Sequence, residues 1–229
     1  MVDAVLFEFD GVIADTHAAR RRALLESLGE DGVMLTDAEY AERCASLPVR
    51  AAIRNAFALH GHPADDTAIE LAAARAERRF AGSLEGGLLL AEGAYSLIDA
   101  FGAQARLGIV ARGARREIDP TLALARLDDA FEFVIADEDA FPPKPAPAPY
   151  LAALERLMRR RAVVAGNVVA LEDGPAGIRS AKAAGLRCAA VGPLAVHLAV
   201  DADALLPTLS GQTIASIDAL TSGGRTIER

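Results

Sequence analysis

A short apolar run opens the chain, and a segment with helical periodicity follows it. Residues 4–9 are apolar except for Glu8, and Asp10 and Gly11 end the run, which predicts a buried strand and then a turn. Apolar positions then recur at the spacing of amphipathic helices, with no strand pattern between them. The predicted helices are 18–28, one opened by the Thr36–Glu39 capping box, 49–57 ending near Gly61, and 69–80.

After Gly86 the pattern changes to helices that alternate with short apolar strands. The predicted helices are 94–101, 117–126, 149–160 and 176–184, and the predicted strands are 107–111, 131–135, 167–171 and 187–191. This alternation is typical of right-handed crossovers and of a parallel sheet covered on both faces. The sequence therefore predicts an α/β protein with a Rossmann-like parallel sheet core, residues 1–15 and 86–229, and an inserted all-helical domain, residues 16–85.

Composition narrows the class of protein. A chain of 229 residues that is 52% hydrophobic and 24% charged is globular, and its net charge of −8 argues against non-specific binding to nucleic acid. Cys44 and Cys188 are far apart and form neither a disulfide framework nor a zinc motif. Acidic residues near the start and the lack of an uncharged run of ~18 residues predict no signal peptide, no membrane span and a cytoplasmic protein.

Charged side chains follow several predicted strands at the point where each strand ends. The carboxyl ends of parallel strands share one edge of the sheet, so these side chains should converge on one crevice. Four carboxylates and one lysine would meet there. Unpaired carboxylates repel one another, and a divalent cation, a lysine partner or protonation removes the repulsion. Hard oxygen ligands together with a single lysine suit Mg²⁺ and a phosphate better than zinc. The residues are Glu8, Asp10, Lys144, Glu172 and Asp173.

Three stretches of the chain resemble signature motifs of the haloacid dehalogenase (HAD) superfamily. They are Phe7–Thr16, Lys144–Pro147 and Leu171–Ile178, and the resemblance continues through Gly185. The branch that resembles this chain includes β-phosphoglucomutase and phosphoglycolate phosphatase and has a helical cap after the first motif. The resemblance implies a Mg²⁺-dependent phosphohydrolase, or a phosphosugar mutase, that acts on a small phosphorylated metabolite. We expect a monomer or small homo-oligomer, and the charge and the lack of a membrane span predict no nucleic-acid or membrane partner.

The family's chemistry implies a role for each matching position. The carboxylate of Glu8 would attack phosphorus, and Asp10 would protonate the leaving oxygen and later activate water. Mg²⁺ would be held by the Glu8 carboxylate, the Asp10 backbone carbonyl and Asp173, with assistance from Glu172. Lys144 would neutralise a phosphate oxygen and orient Glu8.

Two positions depart from the family's pattern. The family's first motif begins with Asp where this chain has Glu8, and its second strand ends in Ser or Thr where this chain has Ala111. We expect Arg112, or backbone amides near Gly113, to bind the phosphate instead, although Arg112 could also be a solvated residue at a helix start. The resemblance also places Arg50 at the substrate, and its other reading is a surface charge.

Two other functions stay open. Because both departures affect the phosphoryl-transfer centre, the alternative is a catalytically impaired HAD-like protein that binds Mg²⁺ or a phosphometabolite without turnover. A true dehalogenase is a weaker third reading, since Asp10 and Gly11 match the phosphoryl-transfer branch.

Overall fold

The computed structural model describes residues 1–45, 47–84, 90–192 and 201–223. The chain divides into two compact units, which we call the sheet unit, Met1–Asp15 with Leu88–Arg229, and the helical unit, Thr16–Gly87. The boundary expected at residues 85–86 lies outside the described residues. In the described part of the chain no helix is long and apolar enough to span a membrane.

The strands of the sheet unit form a parallel sheet in the order β3-β2-β1-β4-β5-β6. This order places β1, from the start of the chain, in the centre and reverses direction between β1 and β4, which is where α/β sheets form a binding crevice. The predicted fold class is confirmed. The strands are β1 (Ala4–Phe7), β2 (Arg106–Val110), β3 (Val134–Ile135), β4 (Val168–Glu172), β5 (Arg187–Val191) and β6 (Ala204–Leu206).

The sheet is buried on both faces because its side chains alternate between two apolar clusters. Val5 and Phe7 pack into one cluster and Ala4 and Leu6 into the other, as the two-residue period of a strand requires. The first cluster contains residues of α5 (Ala94–Gly102), α6 (Arg115–Ala125) and α9 (Ile214–Ser222). The second contains residues of α7 (Ala148–Met158) and α8 (Pro175–Ala183).

The helical unit contains a separate core in which α1, α3 and α4 meet. Leu24, Leu28, Ile53, Phe57 and Ile69 are buried there. The capping box predicted at Thr36 is present, because its hydroxyl accepts the Glu39 N–H and the Glu39 carboxylate accepts the Thr36 N–H. The helices are α1 (His17–Glu30), α2 (Asp37–Arg43), α3 (Val49–Leu59) and α4 (Asp66–Leu84).

Two strands are shorter than the sequence pattern predicts. β1 ends at Phe7 rather than at residue 9, because the Phe9 carbonyl accepts the N–H groups of Ile13 and Ala14 and closes a turn. β3 covers only Val134–Ile135, although the Glu132 N–H still donates to the Leu107 carbonyl. β6 and α9 are not predicted by the sequence pattern.

Candidate active site

Glu8 leaves the end of β1 with its side chain buried and both carboxylate oxygens hydrogen bonded. Its backbone N–H donates to the Leu171 carbonyl at 2.9 Å, which fixes the residue between β1 and β4. One oxygen, Oε1, accepts the N–H of Phe9 at 2.8 Å, and Oε2 accepts Lys144 Nζ at 2.8 Å. The side chain is only 1% exposed. The carboxylate is therefore held in one orientation by the backbone N–H of the next residue and by a lysine.

Lys144 lies before α7, and its ammonium is shared by three strand ends. Nζ donates to Glu8 Oε2 and to the Val110 carbonyl at 2.8 Å each, and to Glu172 Oε1 at 2.5 Å. Burial lowers the pKa of Lys144, but the charges of Glu172 and Glu8 outweigh burial and raise it overall. The ammonium thus stays charged and links β1, β2 and β4 where these three strands end.

Glu172 ends β4 and is as deeply buried as Glu8. Its Oε1 also accepts the hydroxyl of Tyr150 at 2.5 Å. Burial raises the pKa of Glu172 to about 7, and the charges of Glu8 and Asp173 add to the increase while Lys144 opposes it. Burial, followed by the charge of Glu172, raises the pKa of Tyr150 well above its usual value, so the phenol remains a hydrogen-bond donor.

Space for the Glu172 carboxylate exists because α8 has a glycine at position 177. A Cβ on Gly177 would lie 1.9–2.2 Å from Oε2, Cδ and Oε1 of Glu172, which is far inside van der Waals contact. Gly177 lies within the Leu171–Ile178 motif, but no pattern in the sequence indicates that it leaves space for a carboxylate.

Arg112 follows β2, and its guanidinium is under the influence of the four predicted carboxylates. Its Nε lies 4.0 Å from Glu8 Oε2, and about a third of its side chain is exposed. Burial lowers the pKa of Arg112, yet the nearby carboxylates raise it overall. The carboxylates that act on this one guanidinium are Glu8, Asp173, Glu172 and Asp10, in decreasing order.

The remaining predicted residues differ in their surroundings. Asp10 is 9% exposed and precedes a turn in which the Gly11 N–H donates to Ala14. Gly113 is buried, and its carbonyl accepts the Asp137 N–H at 3.1 Å. Arg50 belongs to the helical unit.

The Arg50 guanidinium is held by two glutamates of α4. Its Nε and Nη2 donate to the two oxygens of Glu70 at 2.7 and 2.9 Å, and Nη1 donates to Glu77 at 3.0 Å. The hydrogen bond that Arg50 donates to Glu70 has the largest effect on the pKa of Arg50 and raises it. The expected contact between Arg50 and a substrate stays a prediction.

Tyr150 is a site residue that the sequence pattern indicates only as part of a helix. A signal was present: Tyr150 lies on the buried stripe of α7 with Ala153, Leu154 and Leu157, and a buried tyrosine hydroxyl usually has a hydrogen-bond partner. The Val110 carbonyl, which accepts from Lys144, has no signal in the sequence.

The donor chemistry of the site fits a divalent cation of the magnesium type. Four carboxylates against Lys144 and Arg112 leave a net charge of −2 when every group is ionised, and all the carboxylate donors are hard oxygens. No cluster of three or more His, Cys, Asp or Glu side chains able to hold a metal occurs among the described residues. Mg²⁺ usually takes only one or two carboxylates and completes its shell with water and substrate phosphate, so the donor set is adequate.

Known proteins resemble this chain over most of its length. It is 32% identical over 199 residues to protein CbbY of Cereibacter sphaeroides, which covers 82% of this chain and 83% of that protein. It is 30% identical over 194 residues to a phosphoglycolate phosphatase of Rhodospirillum rubrum, which covers 81% and 78%. The crystal structure of CbbY from Rhodobacter sphaeroides in complex with phosphate has a TM-score of 0.80 at 28% identity, covering 95% and 100% of the two chains.

The family model described as haloacid dehalogenase-like hydrolase matches residues 5–191. The match runs from β1 to the end of β5 and includes each of the converging carboxylates and Lys144. The protein belongs to the haloacid dehalogenase-like hydrolase family.

Proposed function

We propose that the protein is a Mg²⁺-dependent phosphohydrolase, or a related phosphosugar mutase, that acts on a small phosphorylated metabolite in the cytoplasm. The observation that carries the proposal is the Lys144 ammonium held between Glu8 and Glu172 where β1, β2 and β4 end. The relative named as a phosphoglycolate phosphatase and the phosphate in the related crystal structure support a phosphorylated substrate.

Glu8 is the nucleophile in this proposal. Its carboxylate attacks phosphorus and displaces the substrate oxygen, which gives an acyl-phosphate on Glu8 that water then hydrolyses. Lys144 orients the Glu8 carboxylate, because one of its three N–H groups donates directly to Oε2. Phosphate binding at the ammonium would replace one of its present acceptors.

Asp10 is the general acid and base, two residues beyond the nucleophile on the same chain. It protonates the leaving oxygen in the first step and takes a proton from the attacking water in the second. Arg112 and the backbone near Gly113 bind the phosphate in place of the hydroxyl that Ala111 lacks. A hydrogen bond to a charged group contributes ~1.5–3 kcal/mol, so Arg112→Ala should weaken phosphate affinity by roughly 10- to 150-fold.

Mg²⁺ would be held by the carboxylates of Glu8 and Asp173 and by the backbone carbonyl of Asp10, with Glu172 assisting. When bound, the ion supplies the positive charge that lets a phosphate dianion approach the carboxylates and that stabilises charge in the transition state. The net charge of −2 on the four carboxylates, Lys144 and Arg112 favours binding of such an ion.

One observation favours the second candidate, a protein that binds Mg²⁺ or a phosphometabolite without turnover. Glu8 is longer than aspartate by one methylene, ~1.5 Å, and both of its oxygens are already hydrogen bonded to Phe9 and Lys144. A displacement of ~1 Å at a reacting group can cost ~100-fold in rate.

The two functions differ in an assay of phosphate release from an aryl phosphate, phosphoglycolate and several sugar phosphates, with and without Mg²⁺. Wild type, Glu8→Asp and Asp10→Ala are compared, and Glu155→Asp on the exposed face of α7 is the matched control. If the protein is a phosphohydrolase, the wild type is active, Asp10→Ala abolishes this activity, and Glu155→Asp leaves it unchanged. Activity that appears only in Glu8→Asp would contradict it and support binding without turnover, shown in wild type by thermal stabilisation with Mg²⁺ or phosphate.

A further inference from the structure

The side chain of Tyr150 is fully buried and lies next to Glu172 and Lys144. Its hydroxyl donates to Glu172 Oε1 at 2.5 Å, and the Lys144 ammonium lies 4.9 Å from the centre of its ring. Tyr150 has no exposed surface, so it has no route to a substrate in solution. Any effect of the hydroxyl on a reaction must therefore pass through Glu172.

Glu172 is confined from two directions. On one side the Tyr150 hydroxyl and the Lys144 ammonium both donate to Oε1, and on the other side Gly177 leaves just enough room for the carboxylate. A buried carboxylate that accepts two strong hydrogen bonds, one from an ammonium and one from a phenol, has little freedom to rotate.

The contacts form a single chain from helix α7 to the end of β1. Tyr150 donates to Glu172, Glu172 accepts from Lys144, and Lys144 donates to Glu8. We propose that Tyr150 is a positioning residue, which through Glu172 sets the place of the Lys144 ammonium and thereby the orientation of the Glu8 carboxylate. This role rests on the proposed phosphohydrolase function.

Kinetics of Tyr150→Phe test the proposal, because this variant keeps the ring and removes only the hydroxyl. With the aryl phosphate as probe, we expect kcat to fall by roughly 10-fold, the lower end of the range for one hydrogen bond to a charged group, while KM changes by less than about two-fold. KM changes little because Arg112 and Gly113 still bind the phosphate, and Lys144 keeps its charge and its hydrogen bond to the Val110 carbonyl. Tyr95→Phe on the half-exposed face of α5 is the matched control and should change neither constant.

Gly177→Ala displaces the same carboxylate from the opposite side and leaves the Tyr150 hydroxyl in place. We expect a fall in kcat of similar size, and the double variant should lose less than the product of the two single losses because both act through Glu172. An unchanged kcat in folded Tyr150→Phe, or fully multiplicative losses in the double variant, would overturn the proposal.

A second measurement does not depend on activity. The chain has only two lysines, Lys144 and Lys182, so protein labelled with ¹³C at lysine Cε gives two assignable signals. We expect Tyr150→Phe and Gly177→Ala to shift the Lys144 signal and to leave that of Lys182, which pairs with Asp203, in place.

The two experiments separate failure of the proposed function from failure of the proposed role. If the wild type hydrolyses no substrate but the Lys144 signal still shifts in the variants, the proposed phosphohydrolase function is wrong. The positioning of Lys144 by Tyr150 is then still supported. An unmoved Lys144 signal overturns the proposal whether or not the wild type is active.

Discussion

Lys144 neutralises two carboxylates that have almost no contact with water. Replacing it with methionine leaves Glu8 and Glu172 buried and facing each other without a counter-charge, which costs ~3–5 kcal/mol when one partner of a buried pair is removed. We therefore expect Lys144→Met to lower the free energy of unfolding by about that amount in urea denaturation.

The other lysine is the control for this prediction. Lys182 pairs with Asp203 at 2.6 Å with more than a third of its side chain exposed, so Lys182→Met should cost only ~0–1 kcal/mol. Adding Glu172→Gln to Lys144→Met should recover part of the lost stability, because one buried charge is removed. Equal losses for the two lysine variants would contradict a buried ion cluster.

The raised pKa of Glu172 makes stability depend on pH in a stated direction. Burial raises this pKa to about 7 in the folded protein from 4.5, so between these values the folded protein binds more protons than the unfolded chain. The contribution of Glu172 is fully present below pH 4.5 and is lost as pH rises through about 7. In metal-free protein, Glu172→Gln should flatten the unfolding free energy across this window, as measured by urea denaturation.

Glu132 provides a contrast of opposite sign. Its hydrogen bond with Arg106 lowers the pKa of Glu132, so its contribution is present above pH 4.5 and is lost as pH falls through the folded value. Glu132→Gln should therefore lower stability at neutral pH and change little at acidic pH. Parallel profiles for the two variants would contradict the assigned cause of the Glu172 shift.

The sequence reveals which residues meet at the site but not how they are bonded. The convergence of Glu8, Lys144 and Glu172 follows from their positions after strands, because parallel strands share their carboxyl edge. That Glu8 turns back to the Phe9 N–H is a matter of side-chain rotamer, which no pattern in the sequence encodes. Tyr150 was missed because its hydroxyl sits on an otherwise apolar stripe.

At the scale of elements, two helices begin with the same kind of cap, but only one was predicted. At α2, Thr36 and Glu39 match the usual capping pattern. At α9, Thr213 and Ser216 exchange the same reciprocal bonds, but serine at the fourth position hides the pattern. The strand β6 was missed because its three residues at the sheet edge are too few for a periodicity to appear.

The cap of α2 leads to a prediction about this element. The Thr36 hydroxyl accepts the Glu39 N–H at 3.2 Å, and loss of such a cap typically costs ~1 kcal/mol. Thr36→Ala should lower the free energy of unfolding by about that amount in urea denaturation, and Thr36→Ser, which keeps the hydroxyl, should stay close to wild type. A Thr36→Ser loss as large as that of Thr36→Ala would show that the methyl group, not the cap, matters.

For the whole molecule, the helical unit interrupts the sheet in sequence: the central strand β1 precedes it in the chain, and the strands β2 to β6 follow it. β1 pairs with both β2 and β4, which lie more than ninety residues later. The two segments of the sheet unit that flank the helical unit in the chain lie side by side. Ala14 forms an isolated antiparallel β-bridge with Leu90, and the Ala91 N–H donates to the Ile13 carbonyl at 2.9 Å. The alternation of helices and strands predicts the sheet, but the strand order needs contacts that are distant in sequence.

This closure predicts that the sheet unit folds without the helical unit. We expect a chain in which residues 16–87 are replaced by a short Gly/Ser linker to unfold cooperatively in urea and to keep the circular dichroism of a mixed helix and sheet protein, because the linker joins ends that already meet. A chain that lacks residues 1–9 should not fold, since it loses the central strand that both neighbours need. If the linked chain is unfolded while retaining β1, the sheet depends on the helical unit, and the two are not separate domains.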